Sequence, residues 1–365
     1  MARRRLGALQ VEVTSRCTRR CAVCPRSVLA DRWRAGDLSS DLWRRLLPDL
    51  PMVDHLHLQG WGEPLLHPAL KSMAADAAAA GCRVGITTNG ELLGAAMDWI
   101  VAAPLDVVAL SVAGDEEANV RLRDGVVTGD ALETLAELAR RRSSARRPRL
   151  HLSYLLTRDN AGELETVVER AAPAGVDAIL VNHLDVTPTA ELRALAAYGE
   201  DGVPPEVRDA LQAATAVASG LGVDIRAPFV EPQEMLVCDL DPRRILSVRW
   251  DGRVAPCVAL NLPIEGPVPR AAEAGFIEVE TPTLGYLAAS SLREILDNDA
   301  YRSFVAPFEK RRAADARFRK EGLLASGWGV VALADLDRAY AELESSLADT
   351  PFPAACARCP KAEGW

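Results

Sequence analysis

The stretch LQVEVTSRCTRRCAVCP, residues 9–25, carries three cysteines at C-x3-C-x2-C spacing directly after a short apolar segment. Cysteine thiolates are the usual protein ligands of iron–sulfur clusters. Three of them on one loop can bind three irons of a four-iron cube, which leaves the fourth iron open. Cys17, Cys21 and Cys24 are therefore candidate metal ligands.

Two other interpretations of these thiols are a zinc site and a set of buried core cysteines. A structural zinc site takes four protein ligands, and a catalytic one includes His or carboxylates. No His lies between Cys17 and Cys24. Free cysteines are often buried, but Arg16, Arg19 and Arg20 flank these three, which is unlike an apolar core. The loop therefore favours the cluster.

Short apolar segments alternate with helical ones from residue 9 to about residue 180. Strands are predicted at residues 9–13, 53–58, 83–87, 107–112, 150–156 and 178–181, with helices at 38–47, 68–80, 91–101, 131–142 and 161–172. Six such units imply a parallel sheet, because parallel strands need a crossover connection. The sequence predicts an α/β fold, a partial (β/α)6 barrel of the TIM type. Its reactive residues are expected at the carboxyl ends of the strands.

The second predicted strand ends in Gly60-Trp61-Gly62-Glu63-Pro64. Together with the cysteine loop, this motif resembles the radical S-adenosylmethionine (SAM) superfamily, which has a Gly-Gly-Glu-Pro segment in this place. The resemblance implies that the open iron binds the amino and carboxylate groups of SAM. Reductive cleavage of SAM then gives a 5′-deoxyadenosyl radical, which takes a hydrogen atom from the substrate. On its own, the second motif also fits an ordinary strand-to-helix turn.

The same resemblance implies a set of SAM contacts at the strand ends. They are Val23 near the adenine, Gly60, Gly62 and Glu63 near the amino group, Asn89 in the turn after the third strand, Ser111 at the end of the fourth strand, and Arg123, which would neutralise a carboxylate. The family often has an aromatic residue at the position of Val23. An ordinary turn at Asn89 and a surface charge at Arg123 remain open as alternatives.

His183 follows the sixth predicted strand, on the reactive side of the barrel. It is a candidate substrate ligand or proton acceptor, or an ordinary polar loop residue. His55, His57 and His151 lie within or at the start of strands and are predicted to be core or surface residues. The arginine-rich segment 140–149 is placed at the opposite side of the barrel, where a solvated helix end is favoured over a docking site for an acidic partner.

Four more cysteines follow the barrel: Cys238 and Cys257 flank a predicted hairpin, and Cys356 and Cys359 lie near the terminus. Four thiols are enough for a structural zinc site. The pattern also resembles the SPASM/twitch extension of radical SAM enzymes, in its shorter twitch form. That resemblance implies an auxiliary [4Fe–4S] cluster with all four irons ligated. We expect a barrel domain at residues 1–225 and a cluster domain at 226–365, with a helical insertion at about 261–350.

The 365 residues carry a net charge of −9, which argues against broad nucleic-acid binding. No apolar run approaches the ~18 residues that a membrane helix needs. Glu12 interrupts the apolar stretch behind the basic N-terminus, so no signal peptide is expected. Eight cysteines without an export signal favour a reducing compartment and metal binding. A cytoplasmic protein without membrane or nucleic-acid partners is predicted.

The resemblance describes the radical source and leaves the substrate open. A fully ligated auxiliary cluster has no open iron, so its expected role is to accept the second electron of a two-electron oxidation. A polar small molecule, such as a sugar or aminocyclitol, is favoured over a peptide or protein side chain. The reason is that only eight residues precede the first predicted strand, so no leader-binding domain is expected. A flavodoxin- or ferredoxin-type protein would supply electrons, and a non-catalytic metal scaffold is the remote alternative.

Overall fold

The structure, a computed structural model, describes residues 6–143, 145–199, 202–272, 275–325 and 333–365. Within these ranges the strands are β1 Leu6–Val11, β2 Val53–Leu58, β3 Arg83–Thr88, β4 Val107–Val112, β5 Arg149–Leu156, β6 Ala178–His183, β7 Asp224–Arg226, β8 Ile245–Val248, β9 Arg253–Ala255, β10 Val268–Ala272, β11 Gly275–Val279 and β12 Gly285–Tyr286. Strands β1 to β7 lie side by side in chain order and are all parallel. This is the open barrel that the sequence predicts.

Thirteen helices lie in the described ranges, and those between the barrel strands provide the crossovers of the parallel sheet. The thirteen are α1 Pro25–Val28, α2 Ser40–Leu46, α3 Leu70–Ala79, α4 Leu93–Ala102, α5 Glu116–Leu122, α6 Thr128–Arg141, α7 Leu164–Ala171, α8 Ala190–Leu195, α9 Pro205–Leu221, α10 Leu292–Asp297, α11 Asp299–Ala325, α12 Leu333–Ala348 and α13 Pro360–Glu363. The strand residues beneath them are apolar and fully buried, as Leu150, Leu152 and Tyr154 of β5 illustrate. None of the helices in the described ranges combines the length and apolar character that a membrane crossing requires.

The first strand occupies Leu6–Val11, whereas the sequence predicts residues 9–13. The difference has a physical cause, because the chain leaves the sheet after Glu12 and pairs elsewhere. Thr14 forms an isolated antiparallel bridge with Asp37, and the amide of Leu38 donates to the carbonyl of Val13 at 2.8 Å. The cysteine loop thus starts from a backbone that is already anchored outside the barrel sheet.

The C-terminal hairpin belongs to the same sheet as the barrel, which the sequence does not predict. Strand β8 pairs in parallel with β1, and β9 pairs antiparallel with β8 across the turn at Asp251 and Gly252. Strand β12 then pairs with β9, so the full order is β12–β9–β8–β1–β2–β3–β4–β5–β6–β7. The hairpin therefore extends the barrel at its β1 edge.

The segment between the hairpin and the last cysteines is helical over α10, α11 and α12, as predicted. It also contains an antiparallel ribbon of β10 and β11 that the sequence does not predict. The predicted capping box at the start of α10 is present. There the Ser291 side chain accepts from the Glu294 amide, and the Glu294 carboxylate accepts from the Ser291 amide.

Candidate active site

A cavity of about 500 Å³ opens at the carboxyl ends of the barrel strands. It is lined by the loops that follow the strands and by side chains that the strands direct inward. Every barrel residue that the sequence singles out for the site lies on its wall: Cys17, Cys21, Val23, Cys24, Gly60, Gly62, Glu63, Asn89, Ser111, Arg123 and His183. The fold therefore gathers around one space residues that come from the whole length of the barrel.

The cysteine loop is held from two sides. On one side, the Ser15 hydroxyl accepts a hydrogen bond from the amide of Gly36 at 2.9 Å. On the other side, the amide of Ala22 donates to the carbonyl of Leu122 at 3.0 Å. These contacts come from two separate later segments of the chain, so the protein itself fixes how the three thiols are presented.

The surroundings of two thiols in this loop favour the neutral thiol over the thiolate. Burial raises the pKa of Cys24 to about 11 and also raises the pKa of Cys21. The amide of Arg26 donates a hydrogen bond to the Cys24 sulfur, and the Arg123 guanidinium offsets part of the shift at Cys21. Amide donors and a nearby cation stabilise a thiolate that ligates metal. The donor set therefore fits an iron–sulfur cluster.

Glu63 is 2% exposed, and the protein already uses most of its hydrogen-bonding capacity. One carboxylate oxygen accepts from the Thr88 hydroxyl at 2.8 Å and the Leu65 amide at 3.1 Å, and the other accepts from the Asn89 amide at 2.7 Å. Burial raises the pKa of Glu63, and these bonds lower it in part. Glu63 thus ties the end of β3 to the end of β2. A carboxylate has about four acceptor positions, so one remains for a further donor.

The two glycines of the same segment are required because other residues of the chain pack directly against them. A Cβ on Gly62 would overlap the carbonyl oxygen of Arg16, and one on Gly60 would overlap the Glu12 side chain. The amide of Glu63 donates to the Arg16 carbonyl at 2.8 Å, so the segment lies directly on the cysteine loop. The sequence suggests close approach of a ligand here, and the structure shows close approach of the cysteine loop.

Asn89 also supports the cysteine loop. Its side-chain amide donates to the Thr18 hydroxyl at 3.1 Å and to the Cys17 sulfur at 3.6 Å. Its side-chain oxygen accepts from the amide of Glu91 at 2.9 Å, which closes the turn after β3. Both polar atoms of the Asn89 side chain are therefore hydrogen-bonded to other protein groups.

Three further residues line the cavity without side-chain hydrogen bonds to the described residues: Val23, Ser111 and Arg123. Val23 is 5% exposed and belongs to a small apolar cluster with Ala113 and Leu122. Ser111 lies near the end of β4, and no hydrogen bond of its hydroxyl is formed with a described residue. The Arg123 Nε is buried and has no hydrogen-bond partner among the described residues. Arg123 thus presents a cation to the cavity that an anionic group could neutralise.

His183 ends β6, is 4% exposed and borders the cavity. Neither ring nitrogen makes a hydrogen bond of normal geometry with a described residue. Burial lowers the pKa of His183 to about 4, and the nearby Phe229 backbone offsets part of the shift. The ring packs edge-on against Tyr198, with 5.0 Å between ring centroids. The imidazole is therefore neutral at pH 7 and can accept a proton.

Glu12 is a buried carboxyl group next to the site that the sequence does not single out. It follows β1, is 3% exposed, and accepts hydrogen bonds from the amides of Trp61 at 2.9 Å and Trp250 at 3.4 Å. Burial raises the pKa of its carboxyl to about 8, and these two hydrogen bonds lower it in part. Glu12 thus connects β1, the segment after β2 and the C-terminal hairpin.

Replacing Glu12 with glutamine should flatten the pH dependence of stability. The folded-state pKa lies above the ordinary value of 4.5, so the folded protein keeps a proton that the unfolded chain has lost. Stability from this group is therefore full below about pH 4.5 and falls as the pH rises to about 8, by at most about 1.4 kcal/mol per pH unit. Glutamine keeps one of the two acceptor oxygens and does not titrate.

Apparent unfolding temperatures of the anaerobic holoprotein at about pH 5 and about pH 8 measure this effect. The exposed Glu133→Gln variant is the matched control, and its curve should run parallel to that of the wild type. A Glu12→Gln curve that is also parallel to the wild type would contradict the prediction.

His57 and His151 are placed differently from the sequence prediction of core or surface residues. Both point into the barrel and line the cavity, together with Ser153 of β5. The signal was present in the sequence, because polar and apolar residues alternate in segments 55–58 and 149–154. Strict alternation indicates a strand with one polar face, and in this barrel the polar face is the inner one.

The four C-terminal cysteines come together beside the hairpin. Burial raises the pKa of Cys238 and of Cys257 to about 12, and it raises those of Cys356 and Cys359. The other three thiols raise the pKa of Cys356 further, which shows that the four lie within electrostatic range of one another. Backbone amides donate to three of the sulfurs: Leu240 to Cys238, Ala259 and Leu260 to Cys257, and Lys361 and Ala362 to Cys359. This donor set also fits an iron–sulfur cluster.

All eight cysteines are free thiols. Among the described residues, no three His, Cys, Asp or Glu side chains are arranged so that they could hold one metal ion together. A four-iron cube sets a different requirement, because each cysteine binds a different iron.

A buried arginine holds the last two cysteines in place. Arg270 of β10 is 6% exposed and donates to the carbonyls of Ala355 at 3.2 Å and Ala357 at 2.6 Å. Its charge also offsets part of the raised pKa of Cys356 and of Cys359. The ribbon of β10 and β11 is therefore part of the support of the auxiliary site.

A second buried arginine joins the chain before Cys238 to the chain before Cys356. Arg311 of α11 is 7% exposed, and its guanidinium lies 4.5 Å from the ring centroid of Phe352. It donates to four backbone carbonyls: Met235 at 2.8 Å, Leu236 at 3.2 Å, Leu347 at 2.9 Å and Thr350 at 2.9 Å. A single side chain therefore sets the approach of two of the cysteine-bearing segments.

The auxiliary site adjoins the active-site cavity through the C-terminal residues. Lys361 lies 3.2 Å from Asp185, which is on the cavity wall. Trp365 stacks on Tyr198 with 6.0 Å between ring centroids, and Tyr198 in turn packs against His183. The segment after the last cysteine thus forms part of the boundary between the two sites.

Both parts of the chain match families of known proteins. Residues 11–171 match the radical SAM superfamily, and residues 238–320 match the iron–sulfur cluster-binding domain called SPASM. The tungsten-containing aldehyde ferredoxin oxidoreductase cofactor-modifying protein of Pyrococcus furiosus is 28% identical over 256 residues. These residues cover 68% of this chain and 70% of that protein.

Two solved structures have the same fold. Streptococcus suis SuiB bound to S-adenosylmethionine superposes with a TM-score of 0.61 at 12% identity, over 82% of this chain and 68% of that one. Native anSMEcpe with bound AdoMet superposes with a TM-score of 0.56 at 15% identity, over 82% of this chain and 83% of that one.

The two domain matches, the shared fold and the two groups of thiols agree. They confirm the partial barrel with its C-terminal cluster domain, and they imply SAM and [4Fe–4S] clusters as the cofactors. The chain thus matches a radical SAM enzyme with a C-terminal SPASM iron–sulfur cluster-binding domain.

Proposed function

We propose that this enzyme oxidises a polar small molecule, such as a sugar or an aminocyclitol, by two electrons. A cluster held by Cys17, Cys21 and Cys24 would supply the electron that splits SAM into methionine and a 5′-deoxyadenosyl radical. That radical would take one hydrogen atom from the substrate and become 5′-deoxyadenosine. Loss of one further electron and one proton would give a product with two hydrogen atoms fewer. An auxiliary cluster at Cys238, Cys257, Cys356 and Cys359 is the expected acceptor of that electron.

The observation that carries this proposal is the single cavity that joins the cysteine loop to a polar barrel interior. One wall holds the thiols, and the inner strand faces below them hold histidines and hydroxyl groups. A small polar molecule that lies inside the barrel would therefore be close to SAM at the barrel mouth. The C-terminal cysteines lie next to the same cavity, which suits an electron acceptor.

The chain's own residues would bind SAM by charge and hydrogen bonding. Arg123 would pair with the SAM carboxylate, because its Nε is buried without a protein partner. Ser111 would donate to the carboxylate or the ribose. The remaining acceptor position of Glu63 would take the amino group beside Gly60 and Gly62. Val23, in its apolar cluster, would cover the adenine.

His183 would accept the proton that the substrate radical loses. Its imidazole is neutral above about pH 4, and it borders both the cavity and the segment that leads to the auxiliary site. Asp185 is the nearby carboxylate; burial raises its pKa, and its ion pair with Lys361 offsets part of that shift and occupies the carboxylate. A flavodoxin- or ferredoxin-type protein would deliver the first electron.

Anaerobic reconstitution with iron and sulfide tests the cofactor part of the proposal. We expect about eight irons per chain, and 5′-deoxyadenosine when SAM and dithionite are added. Changing Cys17, Cys21 and Cys24 together to alanine should leave about four irons and no 5′-deoxyadenosine. The matched control is Cys82→Ala, which removes a buried thiol outside both groups and should keep about eight irons. Bound zinc, or SAM cleavage by the triple variant, would refute the proposal.

Replacing His183 with glutamine should uncouple radical formation from product formation. We expect 5′-deoxyadenosine to form at the wild-type rate while the dehydrogenated product falls roughly 100-fold, the usual contribution of a general base. In the wild type, the low pKa keeps His183 neutral, so product formation should fall only as the pH approaches about 4. The ratio of product to 5′-deoxyadenosine, followed by mass spectrometry, measures this. An unchanged ratio would exclude His183 as the base.

Modification of a peptide or of a bound cofactor is the second candidate. It is favoured by the names of similar proteins: SuiB has been crystallised with the precursor peptide SuiA, and the Pyrococcus furiosus relative is named as cofactor-modifying. Mass spectrometry of candidate substrates distinguishes the cases, because each predicts a loss of two hydrogens on a different molecule. A redox-neutral rearrangement would remove the electron-acceptor role of the auxiliary site.

A further inference from the structure

The barrel interior below the SAM site is hollow because the strands place small residues there. Gly85 of β3, Ala109 and Ser111 of β4 and Ser153 of β5 share the inner face, as the register pairs Ser111 with Ser153 and Ala109 with His151. TIM-type barrels usually fill this space with bulky branched side chains. Here the small residues leave room, and a Cβ on Gly85 would already overlap the ring of His57.

The same interior is rich in hydrogen-bonding groups. His57 Nε2 lies 3.0 Å from the Thr87 hydroxyl, and the Asn182 amide donates to the Ser153 hydroxyl at 3.3 Å. His151 Nε2 is buried and has no hydrogen-bond partner among the described residues. A buried polar atom without a partner is costly, so His151 indicates that a further polar group belongs beside it.

The inner faces of β2 to β6 carry no charged group along the cavity wall. Its charged residues, Glu63, Arg123 and Asp185, all lie beyond the strand ends at the mouth. Burial lowers the pKa of His57 to about 4 and lowers that of His151, so both imidazoles are neutral at pH 7. Neutral imidazoles offer one donor and one acceptor each. Below the two histidines the charges have both signs, and arginines there are paired, Arg226 with Asp224 and Arg146 with Asp177. A carboxylate or phosphate here would lose its hydration and gain only the weakened attraction of arginines that already have partners.

We propose that the lower part of the cavity, floored by His57 and His151, binds a compact, uncharged, hydroxyl- or amide-bearing group of the substrate. This inference rests on the proposed function and narrows its substrate class. The neutral donors and acceptors of the floor hydrogen-bond to that group, and the small residues around Ala109 set its size. The selected molecule is therefore an uncharged ring or polyol.

Binding of small probes to the anaerobic holoenzyme with SAM tests the proposal. The probes are myo-inositol, which is uncharged, and myo-inositol 1-phosphate, which is anionic, both followed by saturation-transfer NMR. We expect the first to bind and the second to bind at least tenfold more weakly. Ala109→Leu should fill the space and weaken myo-inositol binding at least tenfold. The matched control is Ala75→Leu on the exposed face of α3, which should bind like the wild type.

A second variant keeps the test decisive if Ala109→Leu folds poorly. His151→Phe keeps an aromatic ring at this position but removes the nitrogens that can form hydrogen bonds. We expect at least fivefold weaker binding of myo-inositol. The proposal would be overturned by any of three results: myo-inositol does not bind, myo-inositol 1-phosphate binds equally well, or both variants bind myo-inositol like the wild type. Formation of 5′-deoxyadenosine without any probe is measured in parallel. That readout reports on SAM cleavage alone, so it separates failure of this inference from failure of the proposed function.

Discussion

Gly62→Ala should abolish SAM cleavage and empty the first cluster site. The added Cβ would overlap the carbonyl oxygens of Thr14 and Arg16, which are backbone atoms of the anchored cysteine loop. The loop or the β2 end must shift, and the hydrogen bond from the Glu63 amide to Arg16 would be lost. A shift of about 1 Å at a reacting centre costs roughly 100-fold in rate. We expect at least that loss in 5′-deoxyadenosine formation, and iron content reduced from about eight to about four atoms per chain.

Gly94→Ala is the matched control for this prediction. A Cβ at Gly94 in α4 meets no atom within 4 Å, and alanine is the better helix former by up to about 1 kcal/mol. Its iron content and activity should equal those of the wild type. If Gly62→Ala kept about eight irons and normal SAM cleavage, the contact between the β2 end and the cysteine loop would not be needed for the site.

Arg311→Ala should release the auxiliary site while leaving the barrel site intact. The change removes the donor of four carbonyls, one buried and three partly buried, on the two segments that lead to Cys238 and Cys356. An unsatisfied buried acceptor costs about 1–3 kcal/mol, so we expect a loss of about 3 kcal/mol or more in the stability of this part. Iron should fall to about four atoms per chain. Formation of 5′-deoxyadenosine without substrate should continue.

The neighbouring Arg312→Ala is the matched control for Arg311. Arg312 is exposed, and its removal should change stability by no more than about 0.5 kcal/mol. Iron analysis and electron paramagnetic resonance of the dithionite-reduced proteins would report the two clusters separately. Full iron content in Arg311→Ala would show that the four carbonyls can be satisfied by water instead.

The sequence predicted the barrel and the wall of its cavity because both depend on local signals. The alternation of apolar segments and helices requires no knowledge of distant contacts, and motifs at strand ends are gathered by any parallel barrel. Cys17, Gly62 and His183 could therefore be placed on one face without a structure. The metal and SAM roles of these residues stay predictions until the cofactors are bound.

The contacts that the sequence missed all join distant parts of the chain. Glu12 bonds to the amides of Trp61 and Trp250, and Arg270 and Arg311 bond to backbone carbonyls of other segments. Such partners carry no side-chain signature, because every residue has an amide or a carbonyl. The polar barrel interior was the exception, since the alternation in β2 and β5 already indicated it.

Pairing of β8 with β1 means that the C-terminal region cannot be trimmed away cleanly. A fragment cut after residue 225 would leave the amides and carbonyls along β1 without partners, a surface that recruits strands from other molecules. We expect such a fragment to self-associate rather than to survive as a free-standing catalytic core. In an exchange of modules between related enzymes, the crossover point would therefore have to keep the hairpin with the barrel.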